Sequence, residues 1–300
     1  MARAADASPL LTVVALLKRE KARATVRGAF PRRKVHLVMA RNAAEVEQLL
    51  LTELVDAVLV DSGAGDEALK LLRKACDFTS VPFFYLTPLL PADAPAVAQA
   101  VAAGVADLLV DGIDEAVTRD LVTQRAFSIR FERALAEPPA TLKLETPLQL
   151  AVWQSLVKRA GRPVRTDALA RELSVSREHL SRSFATGSAP TLKRVIDLVR
   201  VLAAAELAKN TGYDIKDVAA VLGFASSSHL SGTTHRLVGA KGSSLTRLRA
   251  VDLIDRFTRL PERLPEVLGG PPDETAGEPR DGDSLTAGEP RDDDSVNGDS

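Results

Sequence analysis

The chain contains one cysteine, Cys76, in 300 residues. An intramolecular disulfide and a cysteine-based zinc cluster are therefore excluded, and a lone thiol fits a reducing cytoplasm. Aromatic residues make up only 4%, with one Trp and two Tyr. The apolar run Ser8–Leu17 is ten residues long, where a membrane span needs about 20. It has no small-residue cleavage site and is followed by KREKARATVR, so it reads as a buried strand and not as a signal peptide. Gly-rich phosphate loops are also missing: ALLKREKARA stands where a dinucleotide fingerprint would follow the first strand, and no P-loop occurs.

What is present is a partition of charge. The formal net charge is −1, but residues 1–138 hold 17 Lys+Arg against 18 Asp+Glu, residues 139–260 hold 19 against 10, and residues 261–300 hold 3 against 12. A basic segment flanked by an acidic one points to a polyanionic partner.

The hydrophobic pattern divides at the same places. Leu11–Leu17, Lys34–Ala40, Val55–Asp61, Val81–Thr87 and Ala106–Asp111 are short, nearly continuous apolar runs. NAAEVEQLLLTEL, GDEALKLLRKACDF and DAPAVAQAVAAGV lie between them, with apolar residues at three- and four-residue spacing. This predicts a doubly wound α/β domain over 1–136, with a five-stranded parallel sheet covered on both faces. Its closing helix is expected to start near Asp114 and run past Arg133. Residues 137–147, EPPATLKLETP, read as a linker. From 148 to 260 every pattern is helical, and the strand signal stops. Residues 261–300 hold almost no large apolar side chains and repeat TAGEPRDGDS as TAGEPRDDDS; they are expected to be a disordered acidic tail.

Two stretches of the helical part share one plan. In TDALARELSVSREHLSRSF, Thr166 is placed to cap a first helix, and Ala168, Leu169 and Leu173 give it a buried side. Ser176 caps a second helix that sets Arg177, Glu178, Ser181 and Arg182 on one face and Leu180 and Phe184 on the other. Helix, tight turn, polar-faced helix is the layout that lays its second helix into a major groove, where arginine suits guanine and serine suits phosphate or base. Fifty residues on from Ser176, Ser226 repeats the cap. DIKDVAAVLGFASSSHLSGTTHRL brings Asp214 as the first cap and Ile215, Val218, Ala219 and Leu222 as a buried face. A helix over about Thr191–Asn210, near 30 Å long, would set the two units one groove period of about 34 Å apart.

These residues resemble the AraC/XylS family of bacterial transcription regulators over roughly 148–250, through DALARELSVSREHLSRSF, LVRVLAAAELA and DIKDVAAVLGFASSSHLS. The resemblance implies two helix-turn-helix units on promoter DNA. Arg177, Glu178, Ser181 and Arg182 then face DNA in the first unit. Ser226, Ser227, Ser228, His229 and Arg236 do so in the second. The second unit departs from the family pattern. Leu230 replaces an aromatic, Gly232 a basic residue, Thr234 a phenylalanine, and Gly242 a proline, so it is expected to contact backbone more than bases. The N-terminal part resembles a response-regulator receiver domain, with Asp61 at the phosphoacceptor position and Thr87 at the switch hydroxyl. The resemblance places an acidic pair after the first strand and a lysine after the fifth. Leu17, Lys18 and Arg19 stand at the first place and Asp111 at the second. Phosphoryl transfer to aspartate needs Mg²⁺ held by clustered carboxylates. The domain therefore reads as a pseudo-receiver, and Asp61 as a vestigial phosphoacceptor in a solvated or helix-capping role.

The four histidines are scattered, with His179 and His229 at equivalent positions of the two repeats. Cys76, beside Leu72 and Phe78, reads as a core residue. No catalytic constellation, metal site or cofactor site is expected. The reading is a cytoplasmic, sequence-specific DNA-binding regulator, not an enzyme and not membrane-bound. Double-stranded promoter DNA is its partner, RNA polymerase a further one, and the N-terminal domain serves homodimerisation or docking. The alternative is an adaptor protein whose helical domain no longer binds DNA specifically.

Overall fold

The computed structural model describes residues 11–31, 35–112, 115–184 and 187–260. The acidic tail and Asp114 lie outside the described residues. The N-terminal half alternates strands and helices: β1 Leu11–Leu16, α1 Glu20–Ala29, β2 Val35–Met39, α2 Ala43–Thr52, β3 Ala57–Asp61, α3 Gly65–Arg73, β4 Phe83–Thr87, α4 Ala94–Ala102, β5 Asp107–Val110, α5 Glu115–Arg125 and α6 Phe127–Ala134. The strands pair in the order β2-β1-β3-β4-β5, every neighbour parallel. This is a doubly wound sheet, with its functional edge at the strand C-termini. All five apolar runs became strands. Helix α1 carried too few apolar residues to stand out, since Ala22, Val26 and Ala29 are its buried face.

Side chains alternate across the sheet. Val13, Ala15, Leu59 and Leu86 face α1 and α5 in one cluster. Val14, Leu16, Val58 and Val60 face the other way, onto α2 and α3. That second core does not end at the domain edge. It continues through Trp153, Leu202 and Leu253 of the helical half, so the two halves form one compact unit.

The helical half comprises α7 Pro147–Lys158, α8 Thr166–Glu172, α9 Arg177–Ser183, α10 Leu192–Leu207, α11 Ile215–Val221, α12 Ser227–Val238 and α13 Ala250–Arg259. Helix α7 starts on a capping box of Thr146 and Gln149 with Pro147 at the first turn. In the segment expected to be a linker, Leu142 and Leu144 are buried in the common core.

Three expectations are corrected by the structure, the first two through contacts between distant residues. The closing helix of the N-terminal half is broken at Ala126, because Asp56 captures the start of α6. Its backbone carbonyl accepts from Phe127 N at 3.1 Å, and its Oδ1 accepts from Ser128 N at 2.9 Å. Helix α10 has 16 residues, about 24 Å, and not 20. Its expected last turn is diverted into the junction, where Asn210 Oδ1 accepts from Ser80 N at 2.7 Å and Gly212 N donates to Asp77 O at 2.9 Å. Thr166 is the first residue of α8 and Arg165 takes the cap position without a side-chain bond.

The junction is closely fitted. Phe78 and Tyr213 meet edge to face with centroids 5.0 Å apart, and the Phe78 ring fills the space that a side chain at Gly212 would need. Asp56 is fully buried and accepts from Thr12 N at 2.8 Å and from the Arg162 guanidinium, also at 2.8 Å. Arg162 in turn donates to Ser128 Oγ and Leu54 O. Removing one partner of a buried pair leaves the other charge uncompensated. Asp56→Ala is expected to cost about 3 kcal/mol, at the low end for such pairs because Arg162 retains some solvent contact. In urea, far-UV circular dichroism and Trp153 fluorescence should report one coincident transition for the wild type. Two separated transitions would refute the common core.

Candidate nucleic-acid interface

In the first unit, Ser174 adopts the left-handed conformation (φ 55°) and turns the chain from α8 into α9. Ser176 then caps α9, its hydroxyl accepting from His179 N at 3.1 Å. Leu180 and Phe184 are buried, so Arg177, Glu178, Ser181 and Arg182 are left exposed on the opposite face. The backbone N–H of Glu178 and the Ser176 hydroxyl hold the Glu178 carboxyl below its ordinary pKa. Glu172 fixes α8 to α7 by accepting from Ser155 Oγ at 2.8 Å and pairing with Arg159.

The second unit repeats this construction. Asp214 and Asp217 form a capping box on α11, and Gly223 makes the turn at φ 62°. Ser226 caps α12 by accepting from His229 N at 3.0 Å. His179 and His229 are thus equivalent in structure, each donating its backbone N–H to the capping serine. Ser226, Ser228 and His229 are exposed and Ser227 is half-buried. The His229 ring also meets Phe224 edge-on at 5.7 Å. Arg236 is drawn back toward α10, 3.8 Å from Asp197. Burial raises the Asp197 carboxyl above its ordinary pKa, although Lys193, Arg200 and Arg236 oppose the shift. Arg200 locks the unit to α10: its guanidinium lies 3.8 Å over the Phe224 ring and donates to Leu222 O at 3.0 Å.

Two departures from the family pattern, Thr234 and Gly242, have local explanations. Thr234 is buried, and its hydroxyl is satisfied by the Leu230 carbonyl one turn back, at 2.9 Å. Gly242 sits against α12 so closely that a Cβ would lie 2.3 Å from Ser231 Oγ, which excludes the usual proline. Gly232 is different: it is exposed, with open space where a side chain would stand.

At the strand ends of the N-terminal half, Asp61 is fully buried, which corrects the solvated reading. Its capping reading holds, since Oδ1 accepts from Gly63 N at 3.2 Å. Oδ2 accepts from the backbone N–H groups of Lys18 and Arg19, and Oδ1 accepts from Arg19 Nε at 2.6 Å. The same guanidinium reaches Asp111 Oδ2 at 2.5 Å. Burial lowers the Arg19 pKa, but the bonds to Asp111 and Asp61 outweigh it and hold it above its ordinary value. The bridging role of Arg19 depends on the fold, since its two partners lie 42 and 92 residues away. Thr87 is turned into the following loop, where it donates to Asp93 Oδ2 at 3.0 Å and accepts from Leu89 N. Cys76 is exposed and not in the core, because Lys74–Phe78 tightens into a 3-10 turn that buries Ala75 and Phe78 instead. Among the described residues, no group of His, Cys, Asp and Glu is arranged to hold a metal ion, and no helix is long and apolar enough to cross a membrane.

The family described as "Helix-turn-helix domain" matches residues 169–247, from within α8 to the turn after α12. No curated protein matches the chain. Among solved structures it is similar to a response regulator from Thermotoga maritima, at 22% identity and a TM-score of 0.34, over 39% of this chain and 98% of that one. It is also similar to full-length FixJ from B. japonicum, at 15% identity and a TM-score of 0.33, over 67% and 97%. Residues 169–247 thus match a helix-turn-helix domain, and the N-terminal half is a doubly wound sheet by its own strand order.

Glycine within an exposed helix is less stable than alanine by up to about 1 kcal/mol. Gly232→Ala should therefore raise the unfolding free energy by about 0.5–1 kcal/mol in urea titration. Gly242→Ala should lower it, because Ser231 occupies the space.

Proposed function

We propose that this chain is a sequence-specific DNA-binding transcription regulator whose receiver-like domain does not take part in phosphoryl transfer. The observation that carries the DNA reading is the doubled serine-capped helix: α9 and α12 both bury their apolar sides on one scaffold and present short polar and basic side chains outward. Arg177, Glu178, Ser181 and Arg182 read base edges, while Ser226, Ser227, Ser228 and His229 hold phosphates and Arg236 assists from its place beside Asp197. Arg19 supports the pseudo-receiver reading, because it occupies both Asp61 and Asp111 and presents a cation where the chemistry would need Mg²⁺. The N-terminal half then serves dimerisation or the docking of a partner such as RNA polymerase. Leu89, Leu90 and Val101 supply exposed apolar surface for it.

The test uses the full chain, because the halves share a core. Genomic fragments retained at two salt concentrations should be a defined subset. Arg182→Ala should weaken their binding by about 5- to 150-fold, the worth of a bidentate base contact. Uniform retention erased by salt would favour the adaptor reading. Incubation with acetyl phosphate and Mg²⁺ should leave the protein unlabelled. Labelling that disappears in Asp61→Ala would overturn the pseudo-receiver assignment.

A further inference from the structure

A cleft of about 350 Å³ opens between α6 of the N-terminal half and α10, closed at one end by Leu248 and Ala250. Its apolar walls are Phe127, Phe131, Leu202 and Ala205, all buried in the structure, with the two phenylalanine rings stacked at 6.0 Å. Walls anchored in the core cannot close on the space. The volume lies at the lower end of the range for small-molecule sites, which pair apolar walls with a few polar groups. Here the polar groups are linked through Ser80, which accepts from Arg130 at its carbonyl and donates from Oγ to Glu206 O at 3.2 Å. Arg130 is held by donating to Ser80 O at 2.7 Å, and Lys209 by pairing with Glu206 at 2.5 Å. Two cations and one carboxylate leave this part of the cleft with one positive charge in excess. Nothing in DNA recognition or in the Asp61 cluster uses these residues.

We propose that this cleft binds a compact apolar monocarboxylate, with its hydrocarbon body between Phe131 and Leu202 and its carboxylate at Arg130 and Lys209. One ligand charge balances the excess. Because α6 belongs to the N-terminal half and α10 carries both helix-turn-helix units, the ligand would sit on the seam that joins them.

The structure supplies its own reporter. Trp153, the single tryptophan, donates from Nε1 to the carbonyl of Leu135 at 2.8 Å, and Leu135 lines the cleft. Titrating the full chain with adamantane-1-carboxylate should change Trp153 fluorescence saturably, with half-saturation below the millimolar range. The neutral adamantane-1-carboxamide should bind at least about tenfold more weakly, as should the acid to Lys209→Gln. Ala205→Leu should abolish the response. Ala134→Phe fills the cleft from an exposed position and decides the matter if the buried variant does not fold. Three results would each overturn the site: no saturable change at several millimolar, equal binding of acid and amide, or full binding retained in both filled variants.

Discussion

A buried carboxylate must be surrounded by donors or it destabilises the fold that contains it. Asp56 meets that condition by collecting partners from three parts of the chain. Its carboxylate takes the Thr12 N–H from β1, the Ser128 N–H from α6 and the Arg162 guanidinium from the turn that leads into α8. Satisfying one side chain therefore fixes the start of β1 beside that of β3, breaks the last helix of the N-terminal half, and pins the helical half to both. The Asn210–Ser80 contact and the Phe78–Tyr213 pair reinforce the same seam. The shortened α10 follows from it, since the residues after Leu207 are recruited to the junction and leave the helix.

These tertiary demands separate what the sequence makes legible from what it does not. A strand buried on both faces must be apolar nearly throughout, so all five strands are visible as runs. Helix caps are local, so Ser176, Asp214 and Ser226 are readable from the residues beside them. Asp56 is a different case: in VDAVLVD it looks like any polar residue at a strand edge, because its partners are 44, 72 and 106 residues away. For the same reason the segment 137–147 looks like a tether, although Leu142 and Leu144 are core residues. The periodicity around Cys76 is helical, but the 3-10 turn changes which residues face inward. The exposed polar faces of α9 and α12 were the legible part of the candidate site, whereas the Arg236–Asp197 pair was not.

The Asp61 cluster is held together by charge at one end of the sheet. The strands still bring Asp61 and the residues after β1 and β5 together at one end of the sheet. The charges at the two flanking positions are opposite to those that the receiver resemblance implies. Arg19 answers two carboxylates at once, with its guanidinium between Asp61 and Asp111. It is a fixed cation, held by bonds from two strand ends. Freeing Asp61 would break its ion pair with Arg19 and leave that guanidinium with Asp111 alone.

A rigid junction also bears on how unequal recognition helices can work together. Helix α9 presents arginines, while α12 presents serines, a histidine and an unfilled position at Gly232. If the two units moved independently, the weaker one would contribute little, since each would bear its own cost of orientation. Here Arg200 clamps the second unit to α10 through Phe224 and the Leu222 carbonyl, and α10 is itself seated against the N-terminal half. On the proposed DNA reading, engagement of α9 would present α12 to phosphates at high effective concentration, so that even modest contacts would add to the affinity. On the same reading, the second unit can lack base-reading side chains provided that the residues fixing its position are kept. Asp214, Val218, Gly223, Phe224 and Leu237 hold the frame, Gly232 lies on the outward face, and Thr234 and Gly242 are accommodated locally.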